Sequence, residues 1–250
     1  MSSAAISLVA FACVFGGALV GMFLRHSMPE DHLIADSKET VKLGMGFVST
    51  MSALVLGLLV SSAKSFYDTQ SMEVNQMSAD VVALDRLLDH YGPEAKDARE
   101  ELRVTIANSL DRIWTGQRTS KSPPSQRSGE ALLDKIQALA PKDDKQRSLQ
   151  TQALNITIGI GRIRWLMYEQ SNASVSRTLL VIMVFWLTVI FASFGLFAPR
   201  NATAIISLLA AAFSVSGAIF LILEMYSPYR GLVQISSAPL RSALAHLGAN

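Results

Sequence analysis

The sequence has a single cysteine, Cys13, among its 250 residues, and few of its residues are charged. One cysteine cannot form an intrachain disulfide or a cysteine-based zinc site. The charged fraction is 17%, whereas a typical soluble domain has about 25%, so the composition favours a membrane protein. The formal net charge of +2 argues against a nucleic-acid partner, because nucleic-acid-binding faces are strongly basic.

Motifs of the common enzyme classes are also missing. The sequence contains no G-x-x-x-x-G-K-[ST], no H-E-x-x-H and no G-x-S-x-G. His26 and His32 lie in one short polar stretch with Glu30, Asp31 and Asp36. Such a stretch is either a solvated turn, the commoner case, or a cation site. We predict that the protein is not an enzyme and has no catalytic residues, resident metal or cofactor.

The charges that are present are concentrated in one region. Residues 64–177 hold 16 of the 22 Lys and Arg residues and 15 of the 20 Asp and Glu residues. Four stretches of 21 or more residues hold no charge, namely 4–24, 43–63, 178–198 and 201–223. At about 1.5 Å per residue, a helix of this length spans the hydrocarbon core of about 30 Å. The predicted fold class is an all-α membrane protein with four transmembrane helices, for which the lipid bilayer is an obligatory partner.

This distribution predicts four segments. Residues 1–63 hold transmembrane helices 1 and 2, residues 64–177 form a cytosolic helical domain, residues 178–223 form a transmembrane hairpin, and residues 224–250 form a C-terminal tail. An even number of spans places both termini and residues 64–177 on one side. Six cations flank the spans on that side and four on the other. The positive-inside rule therefore predicts cytoplasmic termini in the cell inner membrane.

The domain of residues 64–177 carries apolar residues at coiled-coil spacing. The seam at its start alternates steps of three and four residues, as in a heptad repeat: Val74, Met77, Val81, Leu84, Leu88 and Tyr91. No glycine or proline separates the second span from this seam, so we predict one helix over about residues 41–91. The seam can be buried within a subunit or between subunits, and we expect both.

Two spans contain small residues at helical spacing. In the first span, Gly17 and Gly21 predict close approach of another helix. The second span has a small or hydroxylated stripe, with two leucines beside it. The stripe consists of Gly46, Thr50, Ala53, Gly57, Ser61 and Lys64, and the leucines are Leu54 and Leu58. A face of this kind either packs on another helix, the commoner case, or lines a wet path.

A turn follows the fourth span. Glu224 lies at the predicted membrane edge, and Pro228, Tyr229 and Gly231 follow it. Proline and glycine at this spacing predict that the chain changes direction here. The tail either clamps the cytosolic domain or a neighbouring subunit, or it is an ordinary C-terminal cap.

Three stretches together resemble the bestrophin-like family of bacterial membrane proteins. They run from Lys42-Leu43-Gly44 to Ala63-Lys64, from Leu84-Asp85-Arg86 to Tyr91-Gly92-Pro93-Glu94-Ala95, and from Leu223-Glu224 to Pro239-Leu240. The family is distantly similar to the bestrophins, which are pentameric ion channels with four spans and cytosolic termini. The resemblance implies a homo-oligomer, a pentamer by analogy, with permeant ions as its ligands.

The resemblance also implies a pore. Bestrophins narrow their pore with bulky apolar residues in a sequence such as F-V-L-G-F, and Leu54-Val55-Leu56-Gly57-Leu58 is similar to it. By this similarity the stripe lines the pore and Leu54 and Leu58 form a hydrophobic neck, with leucines in place of the aromatic residues. Pro228-Tyr229-Arg230-Gly231 looks like the bestrophin P-F-G turn with one residue inserted. The acidic calcium clasp that follows that turn in vertebrates has no counterpart in residues 232–235.

Two functions remain open at this point. The first is an oligomeric ion channel with the second span lining the pore. The alternative is a membrane-anchored scaffold or signalling protein whose cytosolic helices recruit a partner. The channel requires the stripe of the second span to surround a central path, whereas the scaffold requires a sealed bundle.

Overall fold

A computed structural model describes residues 2–27, 35–114, 126–170, 176–199, 201–229 and 231–247. Within these ranges the chain is helical and has no strand, which confirms the all-α fold. The helices are α1 (Ser3–Ser27), α2 (Ala35–Tyr91), α3 (Lys96–Trp114), α4 (Gln126–Gln137), α5 (Asp144–Gln170), α6 (Arg177–Phe197), α7 (Ala202–Met225) and α8 (Ala238–His246). A short 3₁₀ turn, Pro93–Ala95, precedes α3.

Four of these helices are long and apolar enough to cross a membrane. They are α1, α2, α6 and α7, and they contain the four predicted spans except for Ala198 and Asn201 at the span ends. The second span and the heptad seam belong to one helix, α2, as the absence of glycine and proline between them predicted. The chain is an all-α membrane protein.

The chain divides into two compact units. The membrane unit contains Met1–Phe66 and Ser174–Tyr226, and the charged unit contains Tyr67–Ala173 and Ser227–Asn250. Helix α2 contributes to both units, because its residues up to Phe66 belong to the first and those from Tyr67 belong to the second.

Close contact between backbones holds the membrane unit together. A Cβ atom placed on Gly17 would lie 2.8 Å from the Thr188 carbonyl oxygen. One placed on Gly21 would overlap the carbonyl oxygen of Ala192 in the same helix, α6. Only glycine permits such an approach, so the predicted role of the Gly17 and Gly21 pair is confirmed. At the end of α6, Arg25 Nη1 donates a hydrogen bond of 2.5 Å to the carbonyl oxygen of Ala198 and caps the helix.

Large side chains hold the charged unit together. Every residue of the heptad seam is at most 3% exposed, and the seam belongs to one core with α3, α5 and α8. We expected this seam to be shared with other subunits as well. That expectation was wrong for the seam itself, because its side chains are already buried within the unit.

The surface of this unit carries several ion pairs. Arg99 binds Asp85 through Nε at 2.7 Å and Asp89 through Nη1 at 2.7 Å. Hydrogen bonding to Asp85 raises the pKa of Arg99. Glu94, in the turn before α3, accepts a hydrogen bond from Lys142 at 2.5 Å, and this bond lowers the pKa of Glu94. The acidic residues around α3 thus serve pairing, the ordinary role of alternating charges on helix surfaces.

Candidate functional site

One face of α2 in the membrane unit is exposed in the single chain. All the residues predicted to line a pore lie on this face and are exposed, namely Gly46, Thr50, Ala53, Leu54, Gly57, Leu58, Ser61 and Lys64. Leu54 is 58% exposed and Leu58 is 70% exposed. The structure therefore brings these residues onto one continuous surface, which we call the α2 stripe.

The opposite face of α2 packs on the other spans. Its residues recur every three or four positions and are buried or half-buried: Val48, Ser52, Val55, Leu56, Leu59 and Ala63. A helix advances about 100° per residue, so this set lies about half a turn away from the stripe. The contacts of α2 within the membrane unit thus leave the stripe uncovered.

The small residues of the stripe are not needed for packing within the chain. A Cβ atom placed on Gly46 or Gly57 would meet no atom within 4 Å. This contrasts with Gly21, where the same atom would overlap backbone. The hydroxyl of Thr50 donates to the Gly46 carbonyl oxygen at 3.0 Å, so its hydrogen is satisfied by its own helix. Among the described residues, the stripe is therefore an exposed surface of small, hydroxylated and leucine side chains whose glycines are not required by packing.

Large apolar side chains are exposed on every span, including α2, where Leu43 is 73% exposed and Phe47 is 66% exposed. On α1, α6 and α7 the exposed residues include many large apolar side chains, such as Leu8, Phe23, Phe185, Ile206 and Phe213. Such side chains suit contact with acyl tails. Helix α2 is also the least packed span, since 6% of its most apolar window is buried, compared with 22–28% for the other three.

Aromatic contacts lie at the end of α7 in the same unit. The hydroxyl oxygens of Ser62 and Tyr226 lie 3.1 Å apart. The rings of Phe66 and Tyr226 are stacked with centroids 5.0 Å apart. These contacts hold Ser62 and Phe66 of α2, which lie outside the stripe as defined, against the end of α7. Glu224, predicted at the membrane edge, is 5% exposed.

The predicted C-terminal turn is present in the charged unit. Gly231 has a φ of 97°, a left-handed conformation that favours glycine. The carbonyl oxygen of Pro228 accepts a hydrogen bond from the Ile235 backbone at 2.8 Å, which closes the turn. Trp114 Nε1 donates to the Ile235 carbonyl oxygen at 2.9 Å, and its ring meets Tyr229 edge-on. The turn is thus attached to α3.

A buried polar network joins this turn to α2. The Tyr229 hydroxyl donates to Gln70 Oε1 at 2.7 Å. Gln70 is fully buried and its Nε2 donates to Gln170 Oε1 and to Glu73 Oε2. Gln170 Nε2 donates in turn to Glu73 Oε1 at 3.1 Å. Because every member has a partner, the network specifies one position of the turn on α2 and α5.

Sequence reasoning missed this network, although a signal for it exists. Gln70 lies four residues before Val74 and seven before Met77, so it occupies the next position of the heptad seam. A polar residue at a seam position indicates a buried partner. That partner, Tyr229, is 159 positions away in the chain, so spacing alone does not identify it.

The tail beyond the turn packs on the core of the charged unit. Leu240 and Ala243 of α8 are buried in that core. Ser78 Oγ donates to the Pro239 carbonyl oxygen at 2.7 Å. The tail therefore packs on the helices of its own charged unit, as a clamp and an ordinary C-terminal cap both would.

The described residues contain no group of three or more His, Cys, Asp or Glu side chains that could hold a metal ion. The polar stretch with His26, His32 and Asp36 lies outside the side chains that the structure describes. Whether that stretch is a solvated turn or a cation site therefore stays a prediction from the sequence.

Comparison with known proteins shows which family the chain belongs to and which solved structure has a similar fold. The pattern of the bestrophin-like domain family matches residues 12–240, nearly the whole chain. The crystal structure of a mutated bacterial bestrophin homologue from Klebsiella pneumoniae is similar, with a TM-score of 0.70 at 11% identity. The alignment covers 96% of this chain and 97% of that one. No curated protein matches this sequence. The chain belongs to the bestrophin-like family.

Proposed function

We propose that this protein is an oligomeric ion channel in which α2 stripes from several copies surround a central pore. The observation that carries the proposal is the exposed stripe itself. Apart from Leu54, Leu58 and Lys64 its residues are small or hydroxylated, both leucines are exposed, and the helices in the described part of the chain leave this face exposed. Membership of the bestrophin-like family supports the same function, and so does the likeness in fold to a bacterial bestrophin homologue.

In this proposal Leu54 and Leu58 form a hydrophobic neck. They are separated by four residues, so they stack one turn apart along the pore. A ring of leucine side chains at each level would exclude water until the pore widens, which is gating by dewetting. Thr50 and Ser61 lie on either side of the neck, where their hydroxyl groups would replace some of the water molecules that hydrate a passing ion. Lys64 places a ring of positive charge at one mouth, which favours anions there.

The remaining features of the proposal follow from topology and resemblance. The channel is a homo-oligomer, a pentamer by analogy with bestrophins, in the cell inner membrane. Residues 64–177 and both termini lie in the cytoplasm, where six of the cations that flank the spans are placed. The C-terminal turn at Pro228, Tyr229 and Gly231 fixes the tail on the charged unit, and the buried network holds it there.

The scaffold alternative is weaker. It needs an apolar surface on the cytosolic helices that is free to bind a partner. The heptad seam was the strongest candidate for such a surface, and its residues are at most 3% exposed within the unit.

Ion flux from liposomes tests the proposal. Purified protein should pass ions, and Leu58→Ala should raise the flux severalfold because the neck becomes wider and wetter. Leu8→Ala is the matched control, since Leu8 on α1 is 68% exposed and Leu58 is 70% exposed. We expect the control to conduct as the natural protein does. Well-folded protein that passes no ions, or equal effects of the two substitutions, would contradict a pore lined by α2.

A further inference from the structure

A cavity in the charged unit is lined by an arginine that has no counter-charge among the described residues. The cavity has a volume of about 150 Å³ and lies among α3, α4 and α5. Its walls are mainly aliphatic, formed by Leu102, Ile106, Leu132, Leu133, Ile158 and Ile160. Arg164, half-buried on α5, is the cation among the lining residues. A Cβ atom placed on Gly129 would lie 3.6 Å from Arg164 Nη1, so the guanidinium lies against the first turn of α4.

The described residues give Arg164 no acidic partner. Glu130 lies at the edge of the cavity and is exposed, and no ion pair joins it to Arg164. The charge that acts on Arg164 is that of Arg112, which has the same sign. Burial, and secondarily Arg112, lower the pKa of Arg164. Arg164 therefore differs from Arg99, which binds two carboxylates in the same unit.

The sequence of two segments of the charged unit whose side chains the structure does not describe is poor in acidic residues. Residues 115–128 and 171–175 include no Asp or Glu. They add Arg118, Lys121 and Arg127 to the positive charge of this part of the sequence. Among the described residues, Arg164 is thus a partly desolvated guanidinium beside an apolar cavity, and an anion bound there would offset the cost of its desolvation.

From this cavity we infer a binding site for a small aliphatic carboxylate, with its carboxylate on Arg164 and its chain in the cavity. The planar guanidinium binds a carboxylate or a phosphate through two parallel hydrogen bonds. The aliphatic walls of the cavity favour an anion that carries an apolar chain. At about 30 Å³ for each water molecule in the liquid, the cavity has room for about five waters, which is comparable to a short-chain acid such as butyrate. The site lies apart from the α2 stripe and does not depend on the proposed channel.

Isothermal titration of the full-length protein in detergent tests the site, with butyrate as the probe. Butyrate should bind saturably, whereas butyramide, which has the same size and no charge, should not. Arg164→Gln should weaken binding at least about tenfold, because it removes a charge-assisted pair. Arg164→Lys, which keeps the charge but loses the planar geometry, should give an intermediate affinity. Arg162→Gln is the matched control, since Arg162 is exposed two residues away, and it should leave binding unchanged.

Thermal unfolding without added acid provides a second measurement. If Arg164 has no counter-ion until a ligand binds, Arg164→Met should raise Tm by about 2 °C or more, because the substitution removes an unpaired charge. An arginine that only supports the fold would lower Tm when replaced. Equal binding of butyrate to Arg164→Gln, equal binding of butyramide, saturable binding of chloride in place of butyrate, or a fall in Tm for Arg164→Met would each overturn the proposal.

Discussion

The two parts of α2 use helical periodicity in opposite ways. In the charged unit the apolar seam from Val74 to Tyr91 faces inward and is buried. In the membrane unit the most unusual face, the α2 stripe, faces outward, and ordinary apolar residues such as Val55 and Leu59 make the contacts. The seam therefore serves the stability of the single chain. The stripe makes no comparable contribution, which is why we assign it to function.

Two glycines of the membrane unit show the same difference between a packed face and an exposed face. Gly21 is required by packing, because a methyl group there would overlap the α6 backbone. Gly57 on the stripe has open space around it. A small residue in a transmembrane helix thus has no fixed meaning until its neighbours are known. Three pairs of substitutions and one single substitution test these differences.

The largest expected effect compares two leucines of the same helix. Leu84→Ala should lower the free energy of unfolding by about 2–5 kcal/mol, since Leu84 is fully buried and its removal leaves a cavity. Leu54→Ala should change the stability of the chain by about 0.5 kcal/mol or less, because Leu54 is exposed. Denaturant titration in detergent compares the two. Similar losses would mean that Leu54 is packed as a core residue.

The next comparison makes the same chemical change at two glycines. Gly21→Ala should destabilise the protein by about 1–3 kcal/mol or more, because α1 and α6 must separate to admit the methyl group. Gly57→Ala should be nearly neutral for folding, since its surroundings are empty within the chain. Tm values in one detergent give the ranking. The reverse ranking would show that Gly57, and not Gly21, is the contact on which the fold depends.

A smaller effect is expected at the C-terminal turn. Tyr229→Phe leaves Gln70 Oε1 without its donor inside a fully partnered network, which should cost about 1–3 kcal/mol. Tyr226→Phe removes an exposed hydrogen bond to Ser62 in the membrane unit and should cost about 1 kcal/mol or less. Urea midpoints for the two variants measure the difference. Equal midpoints would mean that the buried network contributes no more than an exposed pair.

The smallest effect concerns a buried hydroxyl without a partner. Tyr91 is 3% exposed and its hydroxyl makes no hydrogen bond among the described residues. Tyr91→Phe should therefore leave stability unchanged or raise it slightly near neutral pH.

Burial also raises the pKa of Tyr91 above its ordinary value of 10.0, so the folded state resists ionisation. Above that value the unfolded chain loses the proton while the folded chain keeps it, and stability falls as the pH rises. Tyr91→Phe should reduce this alkaline loss of stability, as Tm measured between neutral and alkaline pH will show. An unchanged alkaline profile would mean that Tyr91 ionises equally in both states.

Much of this molecule is predictable from local pattern. Charge-free lengths predict the four spans, the spacing of Gly17 and Gly21 predicts a close helix contact, and heptad spacing predicts the seam. Periodicity also groups the stripe residues on one face, but it does not reveal which face the other spans cover. That depends on contacts such as the one between Ala63 and Ile222, which are far apart in sequence. The partners of Gln70 and the missing partner of Arg164 are likewise products of tertiary structure.

Thiol accessibility of α2 in the membrane tests the central claim most directly. Cys13 is exposed, so the experiment starts from the Cys13→Ala variant. One cysteine is then added at a time, by Thr50→Cys or Ser61→Cys on the stripe. Leu8→Cys on α1 is the control. A charged, water-soluble thiol reagent should modify both stripe positions and block ion flux, and it should leave the α1 position unmodified. Stripe positions as unreactive as Leu8→Cys, in protein that is folded and assembled, would contradict a water-filled path along α2.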